Sequence, residues 1–326
     1  MVDILFLIRN LQGGGAERVA TTLFNTITQS YSRKLVTIYD SNERYNVHEP
    51  SLSLIRHSNN KYIRKMSIPI VLLRQIHICK KYNPKIVISF LDYDNILNII
   101  TSLFTNHTPI ISIHGMPTFQ GSLYFCGKLI QKIQFSLSRL RKTPIIAVSH
   151  GVKRELISKY KINQNQISVL YNPIDTENIS IKAKEKVSNQ SLFRNHTIIT
   201  VGSLTAAKGQ WHLIRVFSEL QKELDVQLLI LGEGDEEKYL KNLAKDLNIS
   251  NAIKFIGWQE NPYKYIAKST IFVLPSLSES FGNVIVEAMA CGCPVITSDC
   301  SPSVHEIIGD DRKYGLISAK MSGIRH

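Results

Sequence analysis

The sequence predicts two α/β domains of the doubly wound, Rossmann-like class that face each other across a cleft. The first observation is length, because 326 residues favour two domains of roughly 150 residues each. The second is that short apolar segments alternate with longer amphipathic ones, which is typical of parallel sheets covered by helices on both faces. The third is that this alternation starts again after Asn172 and Pro173, a pair that favours a turn.

The first domain is predicted to occupy residues 1–172. It opens with a buried strand, Ile4–Ile8, followed by a glycine-rich turn and an amphipathic helix at about 17–29. A basic helix is expected at 62–82, kinked near Pro69. Further buried strands are predicted at residues 35–39, 86–90, 110–113 and 145–148.

The second domain is predicted at residues 196–326, after a polar linker at 173–195. Its expected strands are residues 198–201, 228–231, 253–256, 271–274 and 295–297. Ligands in open α/β sheets bind at the carboxyl ends of the strands. Most of the glycine-rich and charged loops of this chain follow predicted strands, so the sequence predicts a binding site in the cleft.

Composition limits the class of protein. Hydrophobic residues make up 44% and charged residues 20%, which excludes a disordered chain and a membrane bundle. No apolar run reaches the ~18 residues that span a bilayer, and the amino terminus resembles a strand more than a signal peptide. The five cysteines form no zinc or disulfide pattern, so we expect reduced thiols and a cytoplasmic protein.

Positive charge is concentrated in the first domain. The net charge is +13; residues up to Asn172 contain 22 Lys and Arg against 8 Asp and Glu, and the rest contain 17 against 18. A basic face indicates an anionic partner, namely nucleic acid, anionic lipid or a phosphorylated acceptor. A merely solvated basic surface is the alternative.

Two predicted helices carry much of that charge, and each could lie on an anionic membrane. The alternative for each is an ordinary helix that packs its apolar face on the sheet. The basic residues of the first are Lys61, Arg64, Lys65, Arg74, Lys80 and Lys81. Those of the second are Lys128, Lys132, Arg139, Arg141 and Lys142, interleaved with Leu129, Ile130, Ile133, Phe135 and Leu137.

The most distinctive segment, residues 279–287, begins and ends with a glutamate. Glu279 lies in the loop after a predicted strand, and Glu287 is expected about two turns into the following helix. The backbone amides at the start of that helix carry partial positive charge and accept a phosphate well. Carboxylates on both sides suit a ligand that carries hydroxyls beside a phosphate, as a sugar nucleotide does. The alternative is two acids that stand eight residues apart by chance.

Three other loops carry candidate residues. Lys208, between a strand and a helix, brings a flexible positive charge to a phosphate; a surface lysine that caps a loop is the alternative. The glycines of residues 13–15 allow a ligand to approach the backbone, but they match neither the dinucleotide fingerprint nor a Walker loop, and a tight turn is the alternative. His114 ends a strand, where it could contact a sugar hydroxyl or be structural.

Together these segments resemble glycosyltransferase family 4, retaining enzymes of the GT-B fold, over nearly the whole chain. The last segment is the most specific, because its two glutamates are followed by Ala-Met-Ala-Cys-Gly-Cys-Pro. The segments that carry the resemblance are residues 13–18, 114–115, 171–175, 201–209, 232–234 and 275–297.

In this family the second domain binds a nucleotide-sugar donor, here expected to be a UDP- or GDP-sugar, and the first binds the acceptor. The resemblance implies that His114 meets the transferred sugar, Glu279 holds its hydroxyls and Lys208 binds the diphosphate. It also implies that Glu287 binds the ribose. The other donor-binding residues that it implies are Gly14, Gly15, Ser203, Gly232, Gly234, Phe281, Gly282 and Asn283.

The chemistry of the residues agrees with that assignment. The leaving nucleoside diphosphate gains negative charge in the transition state, which Lys208 and the helix-end amides are placed to stabilise. No acidic triplet for a dedicated metal stands near these loops, so transfer is expected to need no metal and no cofactor besides the donor. No residue stands out as a nucleophile, which favours front-face attack over a covalent intermediate.

The chain departs from the family pattern in two places. Ser203 stands where the family usually has arginine, and losing one charged donor to a diphosphate costs roughly 1.5–3 kcal/mol. After residues 295–297 the family normally continues with further helices, so a truncated second domain is expected here.

Three functions compete. The first is a glycosyltransferase, peripheral at the inner face of the membrane, that builds a surface polysaccharide such as capsule or lipopolysaccharide, or a glycolipid; a truncated inactive transferase is its variant. The second is another enzyme of the same fold, such as a nucleotide-sugar epimerase. The third, a basic nucleic-acid-binding protein, lacks any recognised nucleic-acid module, so no nucleic-acid partner is expected.

Overall fold

The computed structural model describes residues 2–27, 30–40, 44–45, 47–56, 68–115, 125–193, 196–309 and 314–319. It divides into two compact units, Met1–Pro173 and Ile174–His326. The division falls beside the predicted end of the first domain. Within the described ranges, no helix is both long enough and apolar enough to cross a membrane.

The first unit contains seven strands and five helices among its described residues. The strands are β1 (Ile4–Ile8), β2 (Arg33–Asp40), β3 (Leu52–Arg56), β4 (Ile86–Ser89), β5 (Thr108–Ile113), β6 (Ile145–Ala147) and β7 (Ile167–Val169). The helices are α1 (Gly15–Thr26), α2 (Ile68–Tyr82), α3 (Asp92–Thr101), α4 (Phe125–Arg141) and α5 (His150–Tyr160). The strands form one parallel sheet in the order β3-β2-β1-β4-β5-β6-β7.

Strand β1 shows why the sheet is apolar on both faces. Leu5 and Leu7 point into one hydrophobic core, and Phe6 and Ile8 point into another, packed beside Phe24 of α1. All four β1 side chains are fully buried. Because successive side chains of a strand point to opposite faces, an unbroken apolar run is what a central parallel strand requires.

The second unit contains six strands and six helices among its described residues. The strands are β8 (His196–Val201), β9 (Val226–Leu231), β10 (Ile253–Gly257), β11 (Ile271–Leu274), β12 (Val295–Ser298) and β13 (Leu316–Ser318). The helices are α6 (Thr176–Ala183), α7 (Gln210–Leu220), α8 (Glu237–Asp246), α9 (Tyr263–Ile266), α10 (Asn283–Ala290) and α11 (Pro302–Ile308). The strands form a parallel sheet in the order β10-β9-β8-β11-β12-β13.

The structure differs from the sequence prediction in the linker, in the kink at Pro69 and in the position of Glu287, among other places. The segment predicted as a linker contains α6, and its Ile179 and Val187 are buried in the core of the second unit. Pro69 lies in the first turn of α2, where a helix needs no proline N–H, rather than at an internal kink; Lys61, Arg64 and Lys65 lie outside the described residues. Helix α10 starts at Asn283, so Glu287 lies one turn into it and not two.

Candidate active site

The candidate residues of the second unit lie on three loops at one edge of its sheet. The loops follow β9, β8 and β11, which are neighbours in the sheet, at the carboxyl ends of the strands. Lys208 ends a short 3-10 turn, Ala206–Lys208, after β8. Glu279 follows β11, and Gly232 and Gly234 follow β9. This is the edge at which open α/β sheets bind ligands.

Lys208 and Glu279 are in direct contact. The Lys208 ammonium donates to Glu279 Oε1 over 2.6 Å, and the Ser276 hydroxyl donates to the same oxygen over 2.7 Å. The two charged side chains are 27% and 11% exposed. Among the residues that the structure describes, no group binds Glu279 Oε2. Two donors therefore hold one carboxylate oxygen, and the other oxygen has lone pairs that can accept a further hydrogen bond.

The backbone holds the Lys208 loop against the Glu279 loop. Gly209 has φ of +64°, and a Cβ there would overlap the carbonyl oxygen of Pro275. The Leu277 amide donates to the Ala207 carbonyl over 2.9 Å. Glycine at 209 is thus required both by its left-handed conformation and by the close approach of the two loops. This backbone contact keeps the loops that carry Lys208 and Glu279 next to each other.

Glu287 is buried on the helix that follows the Glu279 loop. It is only 4% exposed, on α10, whose first turn follows Gly282. Burial raises the pKa of the neighbouring Cys291 thiol to about 12, and the negative charge of Glu287 adds to that rise. A carboxyl group buried to this degree needs hydrogen-bonding partners, so Glu287 is not the solvated helix acid of the alternative interpretation.

The start of α10 is formed as predicted. Phe281 is 6% exposed, Gly282 is the N-cap with φ of +97°, and Asn283 is the first helical residue. The Ile285 amide bonds back to the Gly282 carbonyl over 2.9 Å. The partial positive charge of the helix end lies at these residues.

Two predicted donor-binding glycines have a structural explanation. A Cβ on Gly232 would overlap the carbonyl oxygen of Gly202, and a Cβ on Gly234 would overlap that of Leu204. Both glycines let the loops after β8 and β9 pack together, and their contact with a donor stays a prediction. Ser203 is exposed, and its carbonyl accepts a bond from Gln210 Nε2 over 3.1 Å. Its hydroxyl carries no charge at the position where the family resemblance implies an arginine.

The glycine-rich loop of the first unit is partly helical. Gly14 is the N-cap of α1, and Gly15 is its first residue, two residues before the predicted start at Glu17. The Gly14 carbonyl accepts bonds from the Arg18 amide at 3.1 Å and from the Tyr45 hydroxyl at 3.2 Å. The loop is therefore a fixed helix start rather than a free turn.

His114 follows β5 and is held by its neighbours. Its Nε2 lies 2.8 Å from the Ser112 hydroxyl, and its ring lies 5.5 Å from that of Phe90. Burial lowers the pKa of His114 to about 4, so the imidazole is neutral at pH 7. A neutral imidazole with a fixed orientation acts through hydrogen bonds rather than through charge.

Sequence reasoning missed a cluster of charged residues around Arg9. Arg9 Nε lies 3.9 Å from Asp94 Oδ1, and Asp94 is fully buried. Burial raises the pKa of Asp94 to about 7, and it also raises the pKa values of Asp92 and Glu17. Asp92 and Asp94 follow the strand predicted at 86–90, and their position at a strand end was the signal that could have found them.

Two family models together match most of the chain. The model described as Glycosyltransferase Family 4 matches residues 13–178, and the one described as Glycosyl transferases group 1 matches residues 181–320. A Campylobacter jejuni protein is 30% identical over 97% of this chain and 86% of its own length; its name is N-acetylgalactosamine-N,N'-diacetylbacillosaminyl-diphospho-undecaprenol 4-alpha-N-acetylgalactosaminyltransferase.

The chain belongs to glycosyltransferase family 4. It is therefore a glycosyltransferase, and the family resemblance of its sequence is confirmed. Its relatives include the capsular polysaccharide biosynthesis glycosyltransferase CapM of Staphylococcus aureus, 29% identical over 74% of this chain and 66% of that protein. The lipopolysaccharide 1,6-galactosyltransferase of Escherichia coli is 27% identical over 73% of this chain and 64% of that protein.

Solved structures confirm the GT-B class of this family 4 glycosyltransferase. Anabaena Alr3699/HepE in complex with UDP-glucose aligns with a TM-score of 0.82 at 17% identity, covering 99% of this chain and 87% of that one. WaaG, a glycosyltransferase involved in lipopolysaccharide biosynthesis, aligns with a TM-score of 0.71 at 15% identity, covering 98% and 87%. At these identities the likeness establishes the fold of the two Rossmann-like units.

Proposed function

We propose that this glycosyltransferase moves a sugar from a nucleoside-diphosphate sugar to a glycan or lipid-linked acceptor, with retention of anomeric configuration and without a metal ion. We place it in the synthesis of a surface polysaccharide or glycolipid. The observation that carries the proposal is the ion pair between Lys208 and Glu279, 2.6 Å apart at the carboxyl edge of the second sheet. It sets a phosphate-binding cation beside a hydroxyl-binding carboxylate.

The donor would lie across these loops. Lys208 and the amino-terminal end of α10 would supply positive charge to the leaving diphosphate, so that transfer needs no metal there. Glu279 would accept a hydroxyl of the donor sugar at Oε2, because Oε1 is bound by Lys208 and Ser276. Glu287 would bind the ribose hydroxyls, and the other predicted donor-binding residues keep their proposed roles.

Retention would follow from attack on the face that the leaving group departs from. Glu279 Oε1 is held by Ser276 and Lys208 and Oε2 is assigned to a hydroxyl of the donor sugar, so no residue is assigned as a covalent nucleophile. The acceptor oxygen would form the new bond to the anomeric carbon as the bond to the diphosphate breaks. The acceptor proton would pass to the leaving phosphate oxygen, and His114, neutral and oriented by Ser112, would hold a sugar hydroxyl.

The comparisons support a choice of substrates. HepE binds UDP and UDP-glucose, which favours a UDP-sugar over a GDP-sugar here. The name of the Campylobacter relative contains diphospho-undecaprenol, which favours a lipid-linked acceptor. We therefore propose that the first unit binds such an acceptor and that the enzyme works in the cytoplasm, at the inner face of an anionic membrane.

The test is turnover with defined donors. The purified chain is incubated with UDP-glucose, UDP-galactose, UDP-N-acetylglucosamine or GDP-mannose and a bacterial lipid extract, with Lys208→Ala as control. We expect release of one nucleoside diphosphate that requires the extract, survives EDTA and gives an α-linked product by NMR. A β-linked product would contradict retention, loss with EDTA would contradict metal independence, and conversion of the donor sugar without an acceptor would indicate an epimerase.

A further inference from the structure

Each unit has one point at which the strand order of its sheet reverses. In the second unit this switch point lies between β8 and β11, the first and fourth strands of that unit, and Lys208 and Glu279 lie on the loops that follow them. In the first unit it lies between β1 and β4, again the first and fourth strands. Open α/β sheets bind ligands in the crevice at such a point, at the carboxyl ends of the strands.

The switch point of the first unit carries its own pair of opposite charges. Arg9 follows β1 directly, and Asp94 lies in the first turn of α3, just after β4. Arg9 Nε is 3.9 Å from Asp94 Oδ1, which is too long for a hydrogen bond. This pair matches the pair of Lys208 and Glu279, because each has a cation after the first strand of its unit and a carboxylate after the fourth.

The Asp94 carboxyl group has hydrogen-bonding capacity that its neighbours do not use. Its side chain is fully buried, and neither of its oxygens has a hydrogen-bond partner among the residues that the structure describes. Burying a carboxyl group without partners costs stability. Such a group is typical of a binding site, where the ligand supplies the missing donors.

The groups around Asp94 are of the kind that bind a sugar. The carboxylates of Glu17 and Asp92 are close enough for their charges to add to the rise in the Asp94 pKa that burial causes, and the Arg9 guanidinium lies 5.9 Å from the centroid of the Tyr93 ring. Carboxylates accept bonds from hydroxyls, a guanidinium donates to hydroxyl oxygens, and an aromatic ring offers an apolar face. An ionised phosphate brings no donor to Asp94 and is repelled by the other carboxylates, so this chemistry favours a neutral sugar.

A polar face of α4 packs against the start of α3. The buried side of α4 consists mainly of amide and hydroxyl groups, each at most 2% exposed: Gln131, Gln134 and Ser138. Gln131 Nε2 donates to Asp92 Oδ2 over 3.5 Å, and its Oε1 accepts the Tyr160 hydroxyl over 3.1 Å. Helix α4 therefore holds Asp92 in place, and Asp94 is the carboxyl group left to a ligand.

We propose that the switch point of the first unit, with Arg9 and Asp94 at its centre, binds the acceptor through a neutral sugar whose hydroxyls donate to Asp94 and accept from Arg9. This inference rests on the proposed function, in which the first unit binds a glycan or lipid-linked acceptor, and it adds the residues and the chemical class that they recognise. The two units then separate the substrates by charge. Lys208 and the helix amides take the diphosphate of the donor, and a crevice rich in carboxylates takes the uncharged sugar.

Saturation-transfer NMR tests this site without turnover. The full chain is mixed with excess UDP, to occupy the proposed donor site, and with the methyl α-glycosides of glucose, galactose, N-acetylglucosamine and N-acetylgalactosamine. We expect at least one glycoside to bind the wild type and to bind Glu279→Ala as well, because Glu279 belongs to the donor site. Asp94→Asn and Arg9→Gln should each bind that glycoside at least tenfold more weakly, because each loses a charged hydrogen bond.

The opposite ends of the same two strands offer a matched control. Asp3 precedes β1 and Lys85 precedes β4, and the two side chains form a 2.8 Å ion pair. Lys85→Gln breaks this pair and should bind the glycoside like the wild type. Thermal melting separates a ligand site from a structural role. Asp94→Asn removes an unpaired buried charge and should raise the Tm at pH 8 by about 2 °C or more.

Four results would overturn the inference. They are no glycoside bound by the wild type, equal binding by Asp94→Asn, an equal loss in Lys85→Gln, or a lower Tm for Asp94→Asn at pH 8, which would make Asp94 structural. Turnover separates this inference from the proposed function. With a working donor and the lipid extract, both variants should raise the KM for the acceptor at least tenfold and leave the KM for the donor unchanged. An unchanged acceptor KM would reject the site alone, and glycoside binding without any wild-type turnover would count against the proposed function alone.

Discussion

Lys208 and Glu279, 71 residues apart in the chain, meet at a 2.6 Å bond between Nζ and Oε1. The sequence predicted a role for each residue separately but not their contact. Each charge holds the other in place before any ligand binds, which reduces the side-chain entropy that binding must offset. A donor would then take the remaining Glu279 oxygen and the remaining N–H groups of the lysine.

Glu279→Ala should separate donor binding from turnover. The substitution removes the acceptor of a sugar hydroxyl, and one charged hydrogen bond accounts for about 1.5–3 kcal/mol, so kcat/KM should fall roughly 10- to 150-fold. Affinity for the nucleoside diphosphate alone should not fall, because Lys208 loses a competing partner. Calorimetry and steady-state kinetics measure the two quantities. Glu219→Ala, which breaks an exposed 2.6 Å pair with Lys222, is the control; an equal fall in both quantities would refute the assignment.

Glu287→Gln should remove the preference for a ribose. A carboxylate accepts hydrogen bonds from two vicinal hydroxyls, and an amide oxygen does so less well. We expect the variant to bind a nucleoside diphosphate about tenfold more weakly and a 2',3'-dideoxy analogue as well as the wild type does. A melting temperature close to that of the wild type checks the fold, because Glu287 is buried. If the variant still prefers the ribose, Glu287 does not bind it.

Ser203→Arg should strengthen donor binding. Ser203 is exposed on the loop that leads to Lys208, so an arginine fits without displacing core residues. A guanidinium bond to the diphosphate, added to the contact of the Lys208 ammonium, should raise affinity about tenfold or more. Ser203→Gln adds similar bulk without charge and should leave the affinity unchanged. Titration of both variants with the nucleoside diphosphate measures the two affinities. If Ser203→Arg and Ser203→Gln bind equally well, residue 203 does not contact the phosphates.

Stability should fall as pH rises through 7. Burial raises the pKa of Asp94 to about 7 from its ordinary 3.8, so the folded state holds a proton that the unfolded state has lost. Below pH 7 that proton stabilises the folded state, and the stabilisation is lost as the pH rises through 7. The free energy of unfolding should therefore fall by about 1 kcal/mol between pH 6.5 and 8. His107 and His114, with pKa values lowered to about 4, have the opposite sign but act below pH 6.5.

Urea unfolding at several pH values measures this effect. The wild type should lose stability between pH 6.5 and 8, and Asp94→Asn should flatten that dependence. His107→Gln should leave it in place, because His107 does not titrate in this window. Stability that rises with pH across the same window in the wild type would contradict a raised pKa for Asp94.

Much of the fold could be predicted because both sheets are parallel and buried on both faces. Their central strands carry unbroken apolar runs, such as Ile4–Ile8 of β1 and residues 228–231 of β9, that end at polar or glycine loops, and that pattern is visible in the sequence. Strand β3 and helix α3 were not predicted. Leu52–Arg56 is an edge strand with mixed exposure, and α3 buries Asn95 and Asn98, so neither shows a clear hydrophobic period.

The candidate residues could be selected from the sequence, but their contacts could not. Lys208 and Glu279 were selected because they follow strands, and Glu287 because it lies on the next helix, and such positions are local information. The pairing of Lys208 with Glu279, and of Arg9 with Asp94, depends on which strands are neighbours in the sheet. The inward polar face of α4 was hidden for a different reason: alternating basic and aliphatic residues do not show which side of a helix is buried.

The central claim is that the second unit binds a nucleoside diphosphate at Lys208. Thermal melting of the purified chain with UDP, GDP, ADP and NAD, beside Lys208→Ala, tests it most directly. A ligand at 100 times its Kd adds about 2.7 kcal/mol to the free energy of unfolding. We predict that one nucleoside diphosphate, UDP first, raises the Tm of the wild type and that Lys208→Ala abolishes most of the rise. A wild-type chain that melts cooperatively with no shift from any of the four would contradict the claim.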